Sequence, residues 1–355
     1  MRRLSLIFIC LPLLSWSYDL KDFFQYHPAL AQKTDSIFQS ISKQERVAQM
    51  IVVAAGRLGK PTSVIKQLIT EKYIGGIILL NGSKQGFIEM KNQFQTLNKT
   101  LPLIFSADAE PTLINRKITG TTPVKKASQM LSRKEVVYYT QLICKDLKQI
   151  GITYNYAPVV DMSPNKVVSS RSFGNNSDTA QIWSKLFIDE TQQMGIVATA
   201  KHFPGHGYVK GDTHEKLVYI DGEMKEVKNY IPLINSGVIS IMVAHIAIKN
   251  NEKYNTDNQP STCSRKIVTG LLKNELNFRG IIITDAMNMG GVIRVPNCEL
   301  EAVKAGCDVV LMPVDPKKAV SDILDGISKD PILEQQVYAS VKKVIRLKIC
   351  LGLIN

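Results

Sequence analysis

The chain has 355 residues, 45% of them hydrophobic and 21% charged, which is a globular composition and excludes a disordered, collagen-like or disulfide-stabilised scaffold. Lysine and arginine total 44 against 31 acidic residues, for a net charge of +13. The lysines are scattered in pairs without a nucleic-acid-binding motif, so we expect a solvated basic surface and no nucleic-acid partner; attraction to an anionic polymer or membrane surface is the alternative.

The first 17 residues, MRRLSLIFICLPLLSWS, differ from everything that follows. Two arginines precede an apolar run from Leu4 to Leu14 that is too short to span a bilayer and is followed by small residues, which predicts a secretory signal peptide. The alternative is a helix buried in the fold. A lipid anchor at Cys10 is disfavoured because Ile9 fits a lipobox poorly. We predict a signal peptide over 1–17, one domain over 18–355, and export to the periplasm or the extracellular space.

Five cysteines follow the predicted signal peptide. Their odd number, their long spacings and the absence of a C-x-x-C motif predict neither a disulfide framework nor a zinc site. We expect them to be small core residues, and they are Cys144, Cys263, Cys298, Cys307 and Cys350.

Eight short apolar runs rich in β-branched residues follow one another along the chain. Continuous apolar runs are typical of strands covered on both faces, and therefore of a parallel sheet. The predicted strands are residues 50–55, 75–80, 102–108, 152–161, 196–203, 238–246, 280–286 and 308–314.

The segments between the predicted strands have helical periodicity. Residues 132–150 are the clearest example, because Ser132 and Glu135 form a capping-box pattern at the start and Gly151 ends the segment. Eight strands alternating with helices in about 300 residues predict an α/β fold of the (β/α)8 TIM-barrel type. A doubly wound open sheet is the alternative, but no G-x-G-x-x-G follows the first strand. The other predicted helices are 62–72, 84–98, 178–194, 224–235, 264–276, 298–305, 317–328 and a closing helix over 332–350.

Polar side chains cluster at the carboxyl ends of the predicted strands, where active sites of such barrels lie. Asp285 follows four apolar residues, and a buried carboxylate there must be paired or functional. Asp108 has the alternative of capping the next helix, Asp161 that of a turn residue, and His245 that of a core residue. The polar residues at these ends are Asp108, Glu110, Asp161, Lys201, His202, His245 and Asp285.

The loop KHFPGHGYVKGDTH, residues 201–214, holds three of the five histidines. Three ring nitrogens would suit a zinc ion, but a proline and a glycine interrupt the first histidine pair, so it is not the helical pair of metalloproteases. A phosphate-binding loop would need a following G-K-[ST]. Proton transfer fits better, because Asp212 can hold one ring nitrogen of His214 and leave the other free to act as acid and then as base. We therefore expect no metal and no cofactor.

The loop KHFPGHGYVKGDTH and the later segment IIITDAM resemble glycoside hydrolase family 3, specifically its bacterial β-N-acetylglucosaminidase branch. The resemblance covers nearly the whole chain after residue 17, and its loop motif is highly specific. It implies a (β/α)8-type barrel, which agrees with the strand count, and a retaining enzyme that releases terminal N-acetylglucosamine from β-linked glycans, such as peptidoglycan fragments.

The resemblance also implies residue roles. Asp285 matches the catalytic nucleophile, and His214 with Asp212 matches the histidine acid/base of this branch. Five residues match sugar-binding positions: Asp108, Arg116, Arg171, Lys201 and His202. One departure is the pair Pro111-Thr112, where the common pattern has two glycines; another is Thr213, where the family has serine. A β-glucosidase-type hydrolase and a non-catalytic N-acetylglucosamine- or cell-wall-binding protein are the alternative functions.

Overall fold

A computed structural model of the chain describes residues 18–162 and 164–354. The predicted signal peptide, residues 1–17, lies outside the described residues. Within the described part, no helix combines the length and the apolar character needed to cross a membrane.

Eight parallel strands form the centre of the molecule, and each lies within one of the eight predicted runs. Neighbouring strands pair in chain order, from β1 through to β7, and β8 pairs with β1. Between β7 and β8, the Thr284 N–H donates to the Val309 carbonyl at 3.0 Å, and Ile283 bridges Val309. The sheet is therefore a closed barrel rather than an open doubly wound sheet. The strands are β1 (Ile51–Ala55), β2 (Gly76–Leu79), β3 (Ile104–Ala107), β4 (Tyr154–Asn155), β5 (Val197–Phe203), β6 (Ser240–Val243), β7 (Ile281–Thr284) and β8 (Val310–Leu311).

Helices connect successive strands around the outside of the barrel, as the periodicity predicts. Ser132 caps its helix by accepting from the Glu135 N–H, and Gly151 ends it with φ of 87°. The sixth connection is a π-helix, Lys266–Glu275. The helices after β1 to β5 are Thr62–Thr70, Lys84–Leu97, Arg133–Ile150, Ser177–Gln193 and Ile231–Asn235, and those after β7 and β8 are Cys298–Ala305 and Pro316–Lys329, followed by Pro331–Cys350.

Two differences from the predicted elements have local causes. The predicted helix over 224–235 is instead a 3-10 turn, Val227–Asn229, and a short helix, because Pro232 occupies its first turn and starts a new helix. Two helices not predicted, Pro28–Ser40 and Lys43–Ala48, precede β1.

Two pairs of short parallel strands lie outside the barrel. Gly82–Ser83 pairs with Ile118–Thr119, and Val218–Asp221 pairs with Ile246–Lys249. The second pair anchors the segment that follows the histidine-rich loop. All five described cysteines are free thiols, and four of them are buried, as expected of core residues.

Candidate active site

A cavity of about 590 Å³ opens at the carboxyl ends of the barrel strands. Apolar side chains such as Leu58, Leu113 and Met289 form part of its wall. Seven of the eight residues predicted for the site line it, and Asp212 lies directly behind one of them. The seven are Asp108, Arg116, Arg171, Lys201, His202, His214 and Asp285.

Glu110, two residues beyond Asp108, organises the cationic side of the cavity. Its fully buried carboxylate accepts from Arg171 Nε at 2.8 Å and from the Arg171 terminal nitrogen at 2.6 Å, and Lys201 Nζ lies 2.5 Å away. Burial opposes ionisation, but the charges of Arg171 and Lys201 outweigh it and hold the pKa of Glu110 below its usual value. Glu110 thereby fixes two predicted sugar-binding side chains, although the sequence assigned it no role.

Asp108 lies between two ammonium groups. Lys201 Nζ donates to Oδ1 at 2.5 Å, and Lys117 donates to Oδ2. Arg116, a predicted sugar-binding residue, is exposed at the cavity, and it forms no ion pair with any carboxylate in the described chain. Lys117 could not be predicted from the sequence, because the short helix Ile114–Lys117 determines which side chain turns inward.

Asp161 is fully buried and orients His202. Its carboxylate accepts from His202 Nδ1 at 2.6 Å and from the backbone N–H groups of His202 and His206, the latter at 2.8 Å. Since a carboxylate only accepts, Nδ1 carries the hydrogen and Nε2 faces the cavity. Asp161 is therefore a positioning residue rather than an isolated turn aspartate.

His206 supports the loop from beneath. Its Nδ1 accepts from Asn165 Nδ2 at 3.3 Å, and its Nε2 donates to Thr213 Oγ1 at 3.1 Å. Burial, followed by the neighbouring His202 ring, lowers the pKa of His206. These contacts hold Thr213 and leave neither ring nitrogen for a metal. Within residues 18–162 and 164–354, no group of three potential metal ligands is arranged around one point.

His214 and Asp212 form the predicted pair at the mouth of the cavity. Asp212 Oδ1 accepts from His214 Nδ1 at 2.6 Å and from its backbone N–H at 2.9 Å. Partial burial opposes ionisation of Asp212, but these two hydrogen bonds outweigh it and lower its pKa. The tautomer is thus fixed with Nε2 free. The free nitrogen can pass a proton to or from a group bound in the cavity.

Glu226 anchors the loop on its buried side. Its carboxylate accepts from the Met162 N–H at 2.5 Å and from the Gly207 N–H at 2.8 Å. Burial and the nearby charge of Asp161 raise its pKa to about 8. No sequence motif marks Glu226, because its partners lie 64 and 19 positions away.

Asp285 follows β7 and lines the cavity. Its Oδ1 accepts from the Ala286 N–H at 2.8 Å. Burial opposes ionisation, but the neighbouring His202 and His245 rings, this hydrogen bond and the Lys201 ammonium together hold the pKa of Asp285 below its usual value. Asp285 is therefore an ionised carboxylate, as a nucleophile requires.

His245 supports Asp285 indirectly, through the backbone that follows it. The ring is fully buried; Nε2 donates to the Ala286 carbonyl at 3.0 Å, and Nδ1 lies 2.7 Å from Thr262 Oγ1. The backbone beyond Asp285 is also tied to the histidine loop, since the Gly290 N–H donates to the His214 carbonyl at 3.0 Å. Backbone bonds therefore couple the carboxylate and the histidine.

Pro111 and Thr112, which replace two glycines of the common pattern, connect two parts of the site. Thr112 Oγ1 donates to the Ser170 carbonyl at 2.7 Å and accepts from the Ala127 N–H at 3.0 Å. Ser170 adjoins Arg171, so this bond joins the segment after β3 to the turn that carries the arginine. The departure from the pattern adds a contact and leaves the ion cluster intact.

A closed (β/α)8 barrel that brings a buried carboxylate, a carboxylate-held histidine and charged hydrogen-bonding groups to one cavity is suited to glycoside hydrolysis. A profile of the glycosyl hydrolase family 3 N terminal domain matches residues 42–347. The chain belongs to glycoside hydrolase family 3.

Known proteins of this family resemble the chain over most of its length. A β-hexosaminidase of Actinobacillus pleuropneumoniae serotype 5b is 27% identical over 303 residues, which cover 79% of this chain and 86% of that protein. A β-N-acetylglucosaminidase from Paenibacillus sp. strain FPU-7 superposes with a TM-score of 0.80 at 25% identity, over 88% of this chain and 63% of that one. A β-N-acetylhexosaminidase from Beutenbergia cavernae shares the fold, with a TM-score of 0.77 at 22% identity over 86% of this chain and 97% of that one.

Proposed function

We propose that the chain is a retaining exo-β-N-acetylglucosaminidase that removes terminal N-acetylglucosamine from β-linked glycans. The single observation that carries the proposal is the pairing of an ionised Asp285 with the His214–Asp212 pair at one cavity. The names of the relatives support N-acetylglucosamine as the sugar. Peptidoglycan fragments are the natural substrate we propose, and the signal peptide predicted over residues 1–17 supports export.

The first half-reaction forms a covalent intermediate. A carboxylate oxygen of Asp285 attacks the anomeric carbon while the bond from that carbon to the leaving oxygen breaks. His214 gives its Nε2 proton to the leaving oxygen. Asp212, on Nδ1, stabilises the protonated ring that this step requires. The ion cluster of Glu110, Arg171 and Lys201 and the ring of His202 bind the sugar hydroxyls.

The second half-reaction restores the enzyme. Water, or phosphate, attacks the anomeric carbon, the ester bond to Asp285 breaks, and Nε2 of neutral His214 takes the proton of an attacking water. Two inversions give net retention. A neutral imidazole does not repel an anionic acceptor as a second carboxylate would. With a histidine in this position, either water or phosphate can therefore attack the intermediate.

The test compares two nitrophenyl glycosides with purified protein in the presence of a chelator. We expect turnover of the N-acetyl-β-glucosaminide and not of the β-glucoside, and Asp285→Asn should lower that turnover by a factor of about 10³ or more. Asp221→Asn is the matched control, because Asp221 is an exposed carboxylate that does not line the cavity.

Any different result of this test would indicate a different function. Turnover of the β-glucoside alone would identify a β-glucosidase-type enzyme, and sugar binding without turnover would identify a binding protein. Loss of activity to the chelator would identify a metal-dependent hydrolase. Near-normal turnover by the Asp285→Asn variant would contradict the assignment of the nucleophile.

A further inference from the structure

Lys117 lies in the cavity beside Asp108, although it was not among the residues predicted for the site. It lines the cavity, its side chain is 18% exposed, and its one hydrogen-bond partner among residues 18–162 and 164–354 is Asp108. Asp108 in turn is held on both oxygens, by Lys201 and by Lys117. A sugar that enters this part of the cavity therefore meets an ion pair rather than a lone carboxylate.

This ion pair has unused hydrogen-bonding capacity on both sides. Each carboxylate oxygen has two acceptor sites, and an ammonium group has three donors. Lys117 uses one donor on Asp108, and the pair keeps 18% and 16% of its side chains exposed toward the cavity. A hydroxyl group both donates and accepts, so it can donate to Asp108 and accept from Lys117 at the same time. Such charge-assisted bonds are stronger than those between neutral groups.

The barrel topology places this pair opposite the nucleophile. Asp285 follows β7 and Asp108 follows β3, and these strands are four positions apart in a ring of eight. In a pyranose ring, C4 lies across from C1. A sugar whose C1 is at Asp285 therefore directs its C4 substituent toward Asp108 and Lys117.

We propose that Lys117 is a specificity residue that, together with Asp108, binds the C4 hydroxyl of the terminal sugar and selects its equatorial configuration. The inference rests on the proposed function, because it takes the anomeric carbon to lie at Asp285. An axial C4 hydroxyl projects from the ring face and leaves the donor–acceptor pair without its partner. Leaving such buried polar groups unpaired is a strong source of discrimination.

The test combines the variant Lys117→Met with three substrates. Methionine keeps most of the side-chain length and removes the ammonium group. The substrates are the nitrophenyl N-acetyl-β-glucosaminide, its 4-deoxy analogue and the N-acetyl-β-galactosaminide, in which the C4 hydroxyl is axial. Lys125→Met is the matched control, since Lys125 pairs with Glu135 at 2.5 Å and does not line the cavity.

We expect Lys117→Met to lower kcat/KM for the glucosaminide by about 10- to 100-fold, the range of one charge-assisted hydrogen bond. The 4-deoxy analogue should lose much less, and the preference for the glucosaminide over the galactosaminide should shrink by about tenfold. If Lys117 served only to neutralise Asp108, all three substrates would lose activity by the same factor. That result would overturn the proposal.

A binding measurement shows whether the role of Lys117 or the proposed function has failed. Calorimetry with N-acetylglucosamine, its 4-deoxy analogue and N-acetylgalactosamine repeats the comparison without turnover. If the wild-type protein binds and discriminates these sugars through Lys117 but hydrolyses none of their glycosides, only the proposed function fails. If turnover is normal and the variant keeps the wild-type preference, only the role of Lys117 fails. If no sugar binds and no glycoside is hydrolysed, both fail.

Discussion

His214 differs from the other functional groups in its exposure, since 63% of its side chain is accessible while Lys201 and Glu110 are almost completely buried. An exposed ring can meet both a large leaving group and an incoming water. The hydrogen bond to Asp212 orients the His214 ring. The preceding residue, Thr213, is held in place by its hydrogen bond with His206. The acid/base role that we propose for His214 therefore depends on a few side-chain contacts within one loop.

The role of His214 predicts an effect that depends on the leaving group. His214→Gln should lower kcat/KM by about 10²–10⁴ for an alkyl N-acetyl-β-glucosaminide, whose leaving oxygen needs a proton. The loss should be much smaller for the nitrophenyl glycoside, because nitrophenolate leaves without one. Steady-state kinetics on both substrates measures the difference.

His27→Gln is the control for that experiment, because His27 pairs with Asp22 at 3.0 Å and does not line the cavity. Equal losses on the two substrates in His214→Gln would show that the histidine acts by positioning and not by proton transfer.

Residues in local patterns could be predicted at this scale, whereas contacts between residues distant in the sequence could not. His214 and Asp212 are recognisable as a pair because they lie two positions apart, and Asp285 stands out as a carboxylate at the end of an apolar run. The pair Glu110–Arg171 joins residues that are 61 positions apart in the sequence. At the end of the four-residue helix Ile114–Lys117, Lys117 rather than Arg116 pairs with Asp108. Such contacts depend on how the strands and loops are arranged in the closed barrel. Hydrophobic periodicity predicts the elements but not this arrangement.

Among the elements, the last helix, Pro331–Cys350, carries a buried amine. Lys348 is completely buried and donates to Gln49 Oε1 at 2.5 Å and to the Gly75 carbonyl at 3.1 Å. Gln49 lies two residues before β1 and Gly75 directly precedes β2, so the contact ties the helix to the amino-terminal end of the barrel. Burial lowers the pKa of Lys348 to about 7, which is the expected direction for an ammonium without a carboxylate partner.

This contact predicts how stability changes with pH. Between pH 7 and about 10.4, the unfolded chain binds a proton at Lys348 that the folded chain has lost, so the free energy of unfolding rises with pH in this window. The slope from this one group is at most about 1.4 kcal/mol per pH unit. Lys348→Met removes it. Denaturant unfolding of both proteins at pH 7.5 and 9.5 should therefore show a larger gain for the wild type, by about 1–3 kcal/mol.

The control for this comparison is Lys329→Met, since Lys329 is exposed and pairs with Asp325 at 2.7 Å. Other titrating groups, including buried Lys343, are common to all three proteins and cancel. Parallel pH dependences for the wild type and Lys348→Met would mean that Lys348 is protonated in the folded chain across this range.

Element boundaries followed the sequence wherever a cap or a breaker marked them. Ser132 and Gly151 bound their helix as predicted. The helix Lys43–Ala48 could have been predicted from its start, since Ser42 and Glu45 form a complete capping box. The short strand pairs outside the barrel have no comparable sequence pattern, because two to four residues do not establish a period.

For the whole molecule, the number of strands and the end of the barrel that bears the site could be predicted, because alternating apolar runs and helices admit few architectures. The closure between β7 and β8 and the shape of the cavity depend on packing among all eight strands. The cavity brings together groups from the ends of β3, β5 and β7 and from the loop after β5. The proposed chemistry is therefore a property of the closed barrel and not of any one motif.

The covalent bond that we propose between Asp285 and the sugar can be observed directly. The measurement is mass spectrometry of the purified chain after incubation with a fluorinated, slowly released N-acetyl-β-glucosaminyl donor, followed by proteolysis. We expect one added sugar on the peptide that contains Asp285, and none in Asp285→Asn. A sugar attached to a different residue, or turnover that releases the inverted anomer without any adduct, would contradict it.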